Sequence, residues 1–345
     1  MHRLLVRAVT LALCSFVSTL SLGQATQGQA TQGQAAQGQA AQGQAAAQTF
    51  PVKPVRVIVG YAAGGGNDVI MRIVGQKLAE NLGQPVVIEN KPGAASIIAA
   101  DYVAKAPPDG YTLLMGPSGP MVFNPALYPK LPYSPQKDFA PVGLIGAFPL
   151  MLVVNGSGPI KTVKELVDAA KANPEKANYG SSAASFQFAS ELFNLRTGTK
   201  FVRIPYKGAN ESSAAVAAGD VTMTIADPGS SDALIKAGKV RLIATTGPRR
   251  AAAYPDVPTM AEAGVPNFEI TLWTGLLAPA ATPPVIVKKL QEELARTLQD
   301  PVVRSRLSAM AITPDTGNSE SFAKTIAVEL DLWAAVAKAA DIKAE

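Results

Sequence analysis

The sequence predicts an α/β fold of two lobes that close like a hinge around a ligand cleft. Three observations predict it. A strand, a loop of small residues and a helix start follow one another twice, at Val55–Asp68 and again from Asn178 to Ser185. Strands alternate with helices, the pattern of a parallel, doubly wound sheet. Two apolar stretches, Val142 to Val154 and Glu269 to Leu277, read as passages between lobes, so the second lobe is inserted into the first.

The first unit is the most legible. Val55, Val57, Ile58 and Val59 form a β-branched run suited to a buried strand. Gly64, Gly65 and Gly66 free the backbone after it, and Asn67 or Asp68 is placed to cap a helix. Val69, Ile70, Ile73, Val74, Leu78 and Leu82 then make one apolar stripe, which Gly83 ends. Helix N-termini present unpaired N–H groups and favour negative charge by about 0.3–1 kcal/mol. The strand Pro85–Glu89, a small-residue helix through Ile97 and Val103, and the strand Tyr111–Met115 complete the sheet pattern. Ligands sit at the carboxyl ends of strands in such sheets. The loops 61–68, 92–97 and 116–119, with Ser118, are therefore expected on one edge.

A Pro-rich connection runs from Pro117 to Pro141. Thr162-Val163-Lys164-Glu165 reads as a capping box. The strand ending at Asn178-Tyr179-Gly180 leads through Ser181, Ser182 and Ser185 into the helix Phe186–Leu195. Strands at Phe201–Pro205, Val221–Ala226 and Val240–Thr245 follow. Pro283 is expected to open a helix, and Phe322, Ile326, Leu330 and Trp333 fall on one face of the last helix. The expected limits are 50–148 plus 274–345 for the first lobe and 149–273 for the second.

Composition narrows the chemistry. Arg3 and Arg7, the apolar run Leu11–Leu22 and Gly23-Gln24-Ala25 predict a secretory signal over 1–25. Residues 26–49 belong to an uncharged five-residue repeat of Gln, Gly, Ala and Thr, expected as a disordered tether. The sequence has one Cys, Cys14, and one His, His2. Cleavage after residue 25 removes both, and with them Cys nucleophiles, His bases, disulfides and Cys or His zinc sites. Neither a cofactor nor catalysis is expected. Cleavage also removes Arg3 and Arg7, which takes the net charge from +5 to +3, too mild to point to nucleic acid. Gly64-Gly65-Gly66 is not a dinucleotide fingerprint and no GK[ST] follows it.

Further motifs stand in a telling order: Gly64-Gly65-Gly66-Asn67-Asp68, Gly83-Gln84-Pro85-Val86-Val87, Asn90-Lys91-Pro92-Gly93-Ala94 and Ala106-Pro107-Pro108-Asp109-Gly110-Tyr111-Thr112-Leu113. Asn178-Tyr179-Gly180-Ser181-Ser182, Pro205-Tyr206-Lys207-Gly208 and Pro255-Asp256-Val257-Pro258-Thr259 follow. In these the chain resembles the solute-binding receptors of tripartite tricarboxylate transporters, the Bug proteins, from about Phe50 to the C-terminus. The resemblance implies a monomeric periplasmic receptor of Venus-flytrap fold, like other periplasmic binding proteins, without catalytic activity. It implies a small organic carboxylate as ligand, gripped by loops of both lobes and passed to a large and a small integral membrane subunit.

Carried onto this sequence, the first jaw is Tyr61, Gly65, Gly66 and Asp68, and the second is Ser181, Ser182, Ser185 and Tyr206, with Asp227 opposite. Bland roles fit several of these: Asp68 and the serines as helix caps, Tyr206 as packing, Asp227 as a turn residue. Of the two tryptophans, Trp273 is the better pocket candidate. An orphan sensor, or a hydrolase independent of His and Cys, are the alternative functions. The chain departs from the usual pattern at Ala63, at Ala95-Ser96-Ile97, and at Ala183-Ala184 and Gln187. Added methyl groups and the loss of a polar side chain at Ile97 imply a less polar distal pocket, suited to a monocarboxylate or an aromatic acid.

Overall fold

Strand β1 (Val55–Val59) carries Val55, Val57, Ile58 and Val59 fully buried, as its β-branched composition requires. Helix α1 (Gly66–Leu82) buries Ile70, Ile73, Val74, Leu78 and Leu82 and stops at Gly83 in the left-handed region. Then come β2 (Val86–Asn90), a tight turn Ala94–Ser96, α2 (Ile97–Ala104) and β3 (Thr112–Pro117). These coordinates form a computed structural model and describe residues 50–343. The expected signal segment and Gln-rich repeat lie outside the described residues.

The connection 117–141 is more ordered than its prolines suggest. A π-helical turn (Gly119–Phe123) runs into α3 (Asn124–Leu127), with Pro120 and Pro125 in first-turn positions where no N–H is needed. The long apolar stretch that follows is two strands, β4 (Phe139–Pro149) and β5 (Met151–Asn155), parted at Leu150. Helix α4 (Val163–Ala172) shows both bonds of the Thr162–Glu165 capping box. Next stand β6 (Asn178–Ser181), α5 (Ala184–Thr197), β7 (Val202–Pro205), α6 (Ala209–Ala218), β8 (Met223–Ala226), α7 (Pro228–Lys236) and β9 (Val240–Thr245). The chain returns through β10 (Thr271–Pro279) to α8 (Pro284–Gln299), α9 (Pro301–Ala309), β11 (Thr313–Pro314) and α10 (Ser319–Ala339). At α8 the first helical residue is Pro284, with Pro283 as the cap.

Two sheets result. One has the order β11-β4-β10-β3-β1-β2 and the other β7-β6-β8-β5-β9. In the first, β2 and β3 flank β1 in parallel, β10 is antiparallel to β3, and β4 is antiparallel to β10. Strand β4 therefore points the same way as β1–β3, and all four end on one edge. In the second sheet β6, β7 and β8 are parallel, and β5 is antiparallel to β8 and β9. The ends of β6–β9 thus lie at the start of β5. Leu150 joins these two edges, so the loops after β1–β3 and those after β6–β9 approach the same connection from opposite sides.

Helix packing fixes this arrangement. Gly275 leaves room on β10 for the Phe322 ring of α10, since a Cβ there would come within 2.4 Å of it. Phe188 of α5 packs against Phe123 and Trp333 at centroid distances of 5.3 and 5.6 Å. Each buried aromatic of this size is worth about 1.5–3 kcal/mol in apolar burial. The tryptophans Trp273 and Trp333 are both core residues, each 2% exposed, so Trp273 is not a pocket wall.

Candidate functional site

The first candidate loop is held by a compact polar network. Asp68 is 1% exposed. Its Oδ2 accepts from Gly64 N at 2.8 Å and from Arg72 Nε at 2.9 Å, and its Oδ1 accepts from Asn90 Nδ2 at 2.9 Å. Asn90 Nδ2 also donates to the Tyr61 backbone oxygen at 3.1 Å. Asp68 is thus a loop anchor within the first turn. The cap is Gly65, extended at φ −72° and ψ 163°, with no side-chain bond to the helix. Neither Asn67 nor Asp68 holds the cap position, because the glycine run lets the helix begin earlier. The bond from Arg72 contributes most to holding the Asp68 carboxyl down at about 2, with Gly64 and Asn90 acting in the same direction.

Tyr61 lies over the loop after β3, where a Cβ on Gly119 would come within 3.2 Å of its hydroxyl. Burial pushes that phenol up to about 12, so it stays a neutral donor. Ser118, 3% exposed, begins the same loop. The loop after β2 closes the group. Ala94, Ala95 and Ser96 have φ of 46°, 51° and 70°, a left-handed run that costs about 1–2 kcal/mol per non-glycine residue. Ser96 occupies the space beside Gly60, where a Cβ would sit 1.7 Å from its Oγ. Asn124 Nδ2 supports the run by donating to Ala95 O at 3.0 Å.

The second candidate loop follows β6. Ser181 is fully buried, while Ser182 and Ser185 are half-buried. Helix α5 starts from Ala183, extended at φ −141° and ψ 155°, and no side chain caps it. The serines are not its caps. Tyr206 N donates to Ser181 O at 2.9 Å, and its ring packs beside Gly180, where a Cβ would be 3.2 Å from Cε2. Helix α6 is likewise uncapped by a side chain at Gly208. Asp227 differs: its Oδ1 accepts from Ser230 N at 3.0 Å and caps α7.

The structure thus gathers Tyr61, Gly65, Gly66, Asn67, Asp68 and Ser118 on the first edge, and Ser181, Ser182, Ser185, Tyr206 and Asp227 on the second. The sequence assigns no supporting role to Arg72, Asn90, Ser96 or Asn124, although Asn90 and Ser96 stand in the motifs named above. Arg72 stands four residues after Asp68 on one helix face, which is a usable signal. Asn90 is opposite Val59 in the β1–β2 register, visible once the two strands are aligned. Chemically, the edges offer backbone donors at the uncapped starts of α1, α5 and α6, serine hydroxyls, and the phenols of Tyr61 and Tyr206. Among the described residues no group of His, Cys, Asp and Glu is placed to hold a metal ion.

Residues 70–342 match the family described as tripartite tricarboxylate transporter family receptor. The chain belongs to that family. Its relative BugT of Bordetella pertussis is 34% identical over 296 residues, covering 85% of this chain and 91% of BugT. The structure of the periplasmic binding protein BugD is similar at 31% identity and TM-score 0.70, covering 86% of this chain and 100% of that one. A protein of R. palustris solved with adipate shares 34% identity at TM-score 0.73 over 86% of this chain and 100% of its own. MatC of Rhodopseudomonas palustris, solved with bound malate, shares 33% identity at TM-score 0.70 over 83% and 99%. The family and these neighbours are binding proteins, and two of the neighbours hold small carboxylates.

Proposed function

We propose that this protein is a periplasmic solute-binding receptor that captures a small organic carboxylate between its lobes and delivers it to the large and small membrane subunits of a tripartite transporter. It works by binding alone, without catalysis or cofactor. The observation that carries the reading is the pair of helices, α1 and α5, that start without a side-chain cap on the two edges adjoining Leu150. Helices α2, α3, α6 and α8 also start without a side-chain cap, and α4, α7, α9 and α10 are capped by Thr162, Asp227, Asp300 and Asn318. What sets α1 and α5 apart is an extended cap residue after a run of small residues. The uncapped starts leave N–H groups for a carboxylate, which a helix N-terminus favours. The carboxylates held by family neighbours support the same ligand class.

Tyr61, Ser118, Ser182, Ser185 and Tyr206 supply hydroxyl donors around the backbone amides of Gly66 and Asn67, while the Gly65 amide donates to Ala62 O at 3.2 Å and holds the turn that presents them. Asp68 acts through the loop it anchors, since its own charge repels an anion. Ser181 and Asp227 shape the second edge. The family and the basic, then apolar, N-terminal stretch Arg3–Leu22 support a periplasmic location. A membrane partner then distinguishes loaded from empty receptor by the outer surface that closure creates.

Ala183→Asp tests the reading. An aspartate at this extended cap position satisfies the free N–H groups of α5 and stabilises the helix by about 0.5–2 kcal/mol. It should raise the melting temperature and abolish carboxylate binding measured by calorimetry. Unchanged affinity in a stabilised variant would remove the α5 start from the site.

A further inference from the structure

Beside the lobe connections, the paired ends of β4 and β10 form a neck, with Thr271 opposite Pro149, Leu272 opposite Phe148 and Trp273 opposite Ala147, the last row flanked by Thr313 of β11. Trp273 reaches from this neck to α10. Its ring meets Phe322 edge-on at 5.2 Å, and its Nε1 donates to Glu329 Oε1 at 3.0 Å. The other carboxylate oxygen, Oε2, accepts from Trp333 Nε1 at 3.3 Å. The sequence has two tryptophans, and both indoles end on this one carboxylate. Trp333 packs against Phe123 in a tilted contact at 4.8 Å and meets Phe188 of α5 edge-on at 5.6 Å. Phe188 stands three residues after Ser185, on the same side of α5. Contacts therefore run from the second candidate loop along α5, through Phe188 and Trp333, to Glu329 and on to Trp273 in the neck.

We propose that Glu329 is the positioning residue of the hinge: its carboxylate ties the neck strand to α10, and its charge state sets the balance between lobe arrangements. Burial pushes the Glu329 carboxyl up to about 7, against the pull of the two indole bonds. A charged acceptor binds an N–H more strongly than a neutral one. Proton loss therefore tightens the clamp, and proton uptake loosens it. No other charge competes for this role on the facing elements. Strands β4 and β10, the π-helical turn and α3 carry no ionisable side chain over their ranges. On α5, Glu191 is bonded to Tyr179 and Asn194, and Arg196 to the Asn267 oxygen. On α10 itself, Glu320, Lys324, Asp331 and Lys338 are exposed. This goes beyond ligand capture: it uses the two lobes alone, so it stands or falls apart from the functional reading.

The test is an interlobe distance in ligand-free protein. Spin labels go on exposed positions of each lobe, Gln76→Cys and Lys171→Cys, in full-length chain carrying Cys14→Ser. Pulsed EPR distances are recorded from about pH 5.5 to about 8.5. The expected result is a distance distribution that shifts with a midpoint near pH 7 and becomes pH-independent in Glu329→Gln. Trp273→Phe deletes one bond that favours the charged form, so its midpoint should move upward. A flat distribution in the parent, or a Glu329→Gln protein that titrates like the parent, would overturn the proposal. If Glu329→Gln does not fold, an unshifted midpoint in Trp273→Phe overturns it as well.

Discussion

Asn90 and Asp68 are joined by a 2.9 Å hydrogen bond that closes the glycine loop, because the same Asn90 amide also donates to the backbone of Tyr61. The end of β2 thereby holds both ends of the loop after β1. Asn90→Ala leaves a buried Asp68 oxygen short of a donor, a loss of about 1–3 kcal/mol. Thermal unfolding should show the drop, and ligand affinity should fall with it because the loop amides lose their fixed direction.

The same network sets an acid limb of stability. Asp68 sits below its unfolded value, mainly through Arg72, at about 2. A depressed carboxyl contributes fully above its unfolded value of about 3.9 and loses that contribution as pH falls toward 2. Denaturant titrations of the parent and Asp68→Asn should differ most at neutral pH and converge near pH 2.

Glu329 acts in the opposite sense. Its folded value lies above its unfolded one, so the native state holds its proton more tightly and stability declines as pH rises from about 4.3 through about 7. Glu329→Gln should remove this decline and lie above the parent at pH 8 by at most about 3–4 kcal/mol, lessened by the weaker bonds that a neutral amide makes to the indoles. Chemical denaturation at pH 5 and pH 8 reads the difference.

Ala95 holds a left-handed conformation that glycine adopts freely. Ala95→Gly should relieve strain of about 1–2 kcal/mol, partly offset by the greater freedom of glycine in the unfolded chain. A small rise in melting temperature is expected. On the carboxylate-receptor reading proposed above, the methyl at this position and Ile97, half-buried beside it, would make the distal pocket less polar. An aromatic monocarboxylate such as benzoate should bind more tightly than citrate in calorimetric titration. Equal affinities would count against the apolar distal pocket.

The fold was legible where local pattern and burial agree. Val55–Val59, the stripe on α1, the Thr162–Glu165 box and the Phe322–Trp333 face all needed only periodicity and caps. Helices α3, α6, α7 and α9 and the π-helical turn after Ser118 have no counterpart in the sequence expectations. Helix α6 is mostly alanine and serine with scarcely an apolar stripe, and it is buried by tertiary packing against β5, β6, β8 and α7. The two candidate loops were visible because small residues before a helix are a local signal. Their supports were less so, since Asn90 and Asn124 act through register and tertiary contact. The shared carboxylate of Trp273 and Trp333 depends on β10 lying beside α10, a pairing that no local pattern encodes.

The central claim, a small carboxylate held between two lobes, is tested most directly by thermal shift against matched acids and amides. The panel pairs adipate, malate and benzoate with their neutral amides, alongside citrate. Saturation at a hundred times Kd adds about 2.7 kcal/mol, a readable rise. The expected result is that one or more acids raise the melting temperature while the matching amides leave it unchanged. Equal stabilisation by an acid and its amide, or stabilisation by neutral solutes alone, would contradict the account.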